Sequence, residues 1–155
     1  SSGLLHDLMN YCEIRPDMLQ IEAHPHLTQE KLIRLAKHYG LEVTAFSPLG
    51  SISYEEIGGA EETESLLRDE TIKAKAKDLN ISPAQLILSW ALNRGTSIVV
   101  KSTNEKRMKE NLDASKIELD QSILDKVSSL NIDKRYNDPG IFCEDAFNTF
   151  FPIYD

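Results

Sequence analysis

Apolar and polar positions alternate along Met18-Leu19-Gln20-Ile21-Glu22-Ala23, the pattern of a β-strand with one polar face. A helical period follows. Leu32, Ile33, Leu35, Ala36 and Tyr39 recur on one helix face, with Thr28 as the expected N-cap and Gly40 as the C-terminal stop. The run Glu42-Val43-Thr44-Ala45-Phe46 predicts a second strand, and a helix of this length between two strands predicts a right-handed parallel βαβ unit. Ile52 to Arg68 has no apolar period and is rich in Glu and Gly, so it reads as a long loop, a place for function or mobility. Helical signal resumes over 71–79. Ser82-Pro83-Ala84-Gln85 is a capping box with Pro at the first helical position, opening the apolar run Leu86 to Leu92. Gly95 ends that helix, and Ser97 to Val100 predicts a third strand. A last amphipathic helix runs from Asp120 through Ile123, Leu124, Val127 and Leu130. Beyond Asn131 the tail reads as aromatic and irregular.

Three strands alternating with helices predict a parallel α/β architecture. A three-stranded parallel sheet standing alone leaves two edges of unpaired backbone groups. The strands therefore read as pieces of a larger sheet.

Composition narrows the function. At 155 residues the chain suits one domain, burying roughly two-thirds of its unfolded surface. A net charge of −8 argues against nucleic acid as the main partner, since backbone phosphates call for a basic face. Cys12 and Cys143 lie far apart with no ligand spacing and read as unpaired thiols in a reducing compartment. No apolar run approaches the ~20 residues of a membrane span and no signal-peptide pattern is visible, so a cytoplasmic location without membrane contact is expected.

One segment departs from the acidic background: Val99-Val100-Lys101-Ser102-Thr103-Asn104-Glu105-Lys106-Arg107-Met108-Lys109-Glu110-Asn111. It reads as a strand entering a cationic helix start. Lys101, Ser102 and Arg107 can converge on a phosphate, while Glu110 and Asn111 can meet a purine edge. Lys106, Arg107 and Lys109 alone would pass for a charged helix face, but their spacing from Lys101 favours the phosphate role. Elsewhere the ordinary readings prevail. Glu22 and His24 suit a buried hydrogen-bonded pair better than a metal site with His26, because Pro25 breaks the strand and no fourth ligand is evident. His6 and His38 are expected in solvent, Trp90 in the core, and Asp7 and Tyr11 in ordinary positions on an opening helix.

Taken in order, Gln20-Ile21-Glu22-Ala23-His24-Pro25, Thr44-Ala45-Phe46-Ser47-Pro48-Leu49-Gly50-Ser51, Ser82-Pro83-Ala84-Gln85 with Trp90, and Lys101-Ser102 with Arg107, Glu110 and Asn111 resemble the C-terminal half of an aldo-keto reductase. These are NADP(H)-dependent (β/α)8 barrel oxidoreductases. Asn137-Asp138-Pro139 and Ser53 to Glu56 bring the resemblance nearest to the xylose reductase and aldose reductase branch. It implies a partial domain over residues 1–155 that contributes barrel strands six to eight. By the same resemblance Phe46 stacks on nicotinamide and Gln20 bonds its carboxamide. Ser47, Leu49, Gly50, Ser51 and Ser53 surround the pyrophosphate, and Glu56 reaches a ribose hydroxyl. Lys101, Ser102, Thr103 and Arg107 hold the adenosine 2′-phosphate, and Glu110 and Asn111 bind adenine. The implied substrate is a small aldehyde, ketone or aldose.

The family's Asp, Tyr, Lys and His match no position here, nor does the Ser-Asn pair that ends strand five. No catalytic residue is therefore assigned, and the isolated chain is expected to be inactive. Val100 stands where Pro is usual, His26 where Tyr is common, and Gly140 where the xylose branch often has Trp. Two alternatives stay open: a non-catalytic NADP(H)-binding or interaction module, and an unstable remnant. Partners expected on this reading are the missing N-terminal half-barrel or a second copy.

Overall fold

The computed structural model describes residues 1–55, 60–150, 152 and 154, with the backbone alone for Ser53 and Phe142. Its sheet has the order β1 (Met18–Glu22), β2 (Glu42–Phe46), β3 (Ser97–Val99), all parallel. Register sets Gln20 beside Thr44 and Thr44 beside Ser97; one step on, Glu22, Phe46 and Val99 line up. Successive strand side chains point to opposite faces, so these six share one face.

The other face carries the core. Ile21, Ala23, Val43 and Ala45 pack with Ile33 and Ala36 of α2 (Glu30–His38) and with Leu5 and Met9 of α1 (Ser2–Tyr11). A second cluster surrounds α5 (Pro83–Asn93), whose Leu86, Ile87, Leu88 and Trp90 are all fully buried. Around it lie α4 (Glu70–Asp78), α6 (Glu105–Asp113) and α7 (Gln121–Ser128). Ile98 packs against both clusters and joins them.

The expected capping box is present. Gln85 N donates to Ser82 Oγ at 3.2 Å, and Ser82 N donates to Gln85 Oε1 at 3.1 Å. Gly40 and Gly95 sit just past helix ends at φ +78° and +74°, a conformation glycine adopts without steric cost.

Three expectations change. Thr28 does not cap α2; Gln29 holds the cap position at φ 52° with no side-chain cap bond. Thr28 is engaged elsewhere: its N–H donates to Asn131 Oδ1 at 2.9 Å and its carbonyl accepts from Arg94 at 2.8 Å. The stretch 52–68 is not simply loop. It contains the short helix α3 (Ile52–Glu55) and two 3-10 turns, Glu62–Glu64 and Leu66–Arg68, pinned by the fully buried Leu66. The tail forms α8 (Pro139–Phe147), started by Asp138 accepting from Gly140 N at 2.8 Å, with Pro at the first position.

The sheet's second face is open only in part among the described residues: Met18 is 54% and Val99 53% exposed, whereas Thr44 and Glu22 are buried. Strands β1 and β3 are edges. Among the described residues no helix is long and apolar enough to cross a membrane.

Candidate functional site

Three clusters hold the expected site residues. The first lies where β3 runs into α6. Asn104 caps that helix by accepting from Arg107 N at 3.1 Å, and Ser102 Oγ accepts from Asn104 N at 3.2 Å. A cavity of about 480 Å³ opens beside it, lined by Lys101, Ser102, Met108 and Asn111 among others. Apolar walls from Ile98, Val100 and Leu112 suit a flat ring, with Lys101 as the charged end.

Thr103, Arg107 and Glu110 do not line that cavity. Arg107 and Thr103 are exposed at the helix start. Glu110 turns to Lys106 at 3.9 Å, and its carbonyl accepts from Gln85 Nε2 at 3.3 Å. Among the described residues neither Lys101 nor Arg107 has a carboxylate within 4.0 Å. Both are exposed, so among the described residues their charges are available to an anion.

The second cluster is the turn after β2. Ser47 sits at φ 48°, and its Oγ and the Tyr54 hydroxyl are 2.9 Å apart. Burial raises the Tyr54 pKa, partly opposed by that hydrogen bond. Leu49 packs against the α5 cluster. Gly50 lies at φ +72°, which strains any other residue, and a Cβ there would come within 2.8 Å of Leu66 Cδ1. Ser51 is fully buried and donates to Glu55 Oε1 at 3.3 Å. Ser53 lies on α3 with its side chain outside the description, and Glu56 falls outside the described residues.

The third cluster brings Gln20 and Phe46 to one cavity of about 810 Å³, shared with Glu22, Arg135, Asp138 and Tyr154. Gln20 is exposed and Phe46 half-buried, so an amide and an aromatic face are both presented. Glu22 and His24 form the expected buried pair, 3.1 Å apart. His26 turns instead to the Tyr136 hydroxyl at 3.1 Å, so the three do not share a centre. Among the described residues no group of three His, Cys, Asp or Glu side chains is placed to hold a metal ion.

The sequence reading missed Arg135 and Tyr136. Tyr136 is buried, stacks on Tyr54 with centroids 6.0 Å apart, and has its pKa pushed up to about 12 by burial and nearby carboxylates. Their proximity to Glu22 carries no local signal, because more than a hundred residues intervene.

A sequence model of the Aldo/keto reductase family matches residues 3–132. The chain belongs to this family. It is 41% identical over 141 residues to a probable NAD(P)H-dependent D-xylose reductase of Aspergillus flavus, covering 90% of this chain and 44% of that one. The corresponding protein of Arthroderma otae is 42% identical over 156 residues, covering 99% and 46%. Among solved structures, an aldo-keto reductase enzyme from a Medee basin deep-sea metagenome library superposes with a TM-score of 0.75 at 26% identity. That match covers 86% of this chain and 46% of the other. The chain thus spans about half the length of the relatives it matches, and its three parallel strands with helices form part of an aldo-keto reductase barrel.

Proposed function

We propose that this chain supplies the cofactor-binding part of an NADP(H)-dependent aldo-keto reductase that acts on small aldehydes, ketones or aldoses. The observation that carries the reading is the apolar groove ending in Lys101 and Ser102, with Arg107 exposed in the first turn of the adjoining α6. Preference for a 2′-phosphate follows from these cations, since a guanidinium or ammonium gains a charge-assisted hydrogen bond only when that phosphate is present. Asn111, inside the same groove, offers an amide to the adenine edge. Phe46 presents a flat aromatic surface and Gln20 a carboxamide partner at the other cavity. Ser47, Leu49, Gly50, Ser51 and Ser53 belong to the segment assigned to the pyrophosphate. In that segment the backbone at 47–50 has the larger part, since the Ser51 hydroxyl is already bonded to Glu55.

A bound nicotinamide would supply a hydride to a carbonyl carbon. The chain's own residues would hold and orient it. No Tyr here matches the family's proton donor, and Tyr54 and Tyr136 are both buried with raised pKa values, which suits structure rather than acid catalysis. Partners in this reading are the remaining barrel elements or a second copy, meeting the open edges β1 and β3. Fluorescence titration with NADPH, run beside an aldehyde-reduction assay, tests it. Binding without turnover by the 155-residue chain is expected; turnover would place a proton donor within it, and no NADPH binding would reject the proposal.

A further inference from the structure

Hydrogen bonds converge on one carboxylate outside the residues assigned to cofactor. Glu22 ends β1 with a fully buried side chain. Its Oε1 accepts from His24 Nε2 at 3.1 Å and from Tyr136 N at 2.9 Å. Its Oε2 accepts from Asn137 N at 3.2 Å and from Arg135 Nη1 at 3.4 Å. Three of these four donors belong to the tail.

The same segment is tied down on its flanks. Lys134 N donates to the His26 carbonyl at 3.0 Å, and Lys134 Nζ pairs with Glu64 at 2.8 Å. Just beyond, Asp138 joins the wall of the cavity that holds Gln20 and Phe46. Arg135 also lines it, with its guanidinium 3.7 Å above the Tyr154 ring.

A buried ion pair adds little stability over an apolar pair of equal volume, but it fixes which segment docks and in what register. An apolar side chain at 22 would fill the same space and leave the Tyr136 and Asn137 N–H groups unpaired. His24 is committed as well. It donates through Nε2, and its Nδ1 is buried without a partner among the described residues.

We propose that Glu22 is a positioning residue: it pins the tail segment 135–138 across the end of the sheet and thereby shapes the cavity beside Phe46. The use of that cavity for nicotinamide rests on the function proposed above; the pinning itself does not. Glu22 therefore acts through the tail and touches no reacting atom. Charged and titratable groups facing it are His24 from the turn after β1, Arg135 and Tyr136 from the tail, and Tyr54 from α3.

Amide hydrogen exchange on the 155-residue chain tests the pinning without any cofactor. In Glu22→Gln the Tyr136 and Asn137 amides are expected to exchange at least tenfold faster at pH 7, with Leu88 and Trp90 in α5 unchanged. Arg135→Gln, which leaves the strand intact, gives a smaller acceleration at the same amides and decides the matter if Glu22→Gln does not fold. In the wild type, tail protection corrected for intrinsic rate falls as Glu22 is protonated in acid; in Glu22→Gln that pH dependence is gone. Titration with reduced nicotinamide mononucleotide and with 2′,5′-ADP then tests the cavity. Both variants are expected to weaken the first at least threefold and leave the second unchanged. Unchanged tail exchange in both variants overturns the proposal, and so does a released tail with undiminished nicotinamide affinity. If the wild type binds neither probe, the cofactor reading fails instead, and exchange alone decides the pinning.

Discussion

At the scale of single residues, Glu22 and His26 make acid the weak side of this fold. Burial opposes the Glu22 charge, but hydrogen bonds from His24, Tyr136 and Asn137 outweigh it and hold its pKa below the ordinary 4.5. Its contribution is complete above that value and disappears as pH falls through the lowered one. Burial, followed by the charge of His24, lowers His26 from 6.5, so it too contributes above its ordinary value and loses that contribution as pH falls. Urea midpoints should therefore decline as pH falls below 6.5, and the part of the decline below 4.5 should be missing in Glu22→Gln. A flat profile in the wild type would show that these groups are not paired in solution. Gly50→Ala is expected to cost about 1–3 kcal/mol, read from urea melts, because it forces a side chain to positive φ and against Leu66. The sequence made the Glu22–His24 pair visible through strand alternation. Its tail partners were hidden because nothing local ties residue 22 to residues 135–137.

At the scale of elements, periodicity and capping located most of what is present. α5 was legible from its capping box, its Pro and its continuous apolar run, and it occupies the centre of the second core cluster. Ser82→Ala should lower stability by ~1 kcal/mol through the lost cap, measurable as a fall in Tm. Thr28 misled because a capping residue type says nothing about competing partners, here Asn131 and Arg94. The helix α8 was overlooked although Asp138-Pro139 is a start signal. An aromatic tail with little apolar period masked it, and its exposed Ile141 and Phe147 show how little of it packs. Among site elements, the β3–α6 junction brings Lys101, Ser102 and Asn111 to one groove, as a strand entering a helix start implies. Side-chain direction decided the rest: Glu110 faces Lys106, and Arg107 stands outside the groove.

At the scale of the whole molecule, the two unpaired sheet edges are the dominant physical fact. Met18 on β1 and Val99 on β3 lie exposed there, on the face that also carries Gln20 and Phe46. Unpaired parallel edges template association. Sedimentation of the chain should consequently depend on concentration, and Val99→Lys on the β3 edge should shift it toward monomer. A single monomeric species at all concentrations would mean that the unpaired edges are tolerated as they stand. The incompleteness of the sheet was legible from strand count alone, since three parallel strands cannot cover their own edges.

We propose that the β3–α6 junction recognises the phosphate that distinguishes NADPH from NADH. Calorimetric titration of both cofactors into the wild type, Lys101→Ala and Arg107→Ala is the decisive measurement. Each substitution is expected to weaken NADPH by ~1.5–3 kcal/mol, the worth of a charge-assisted hydrogen bond, while NADH affinity stays nearly constant. Equal losses for the two cofactors, or no loss for either, would contradict the account.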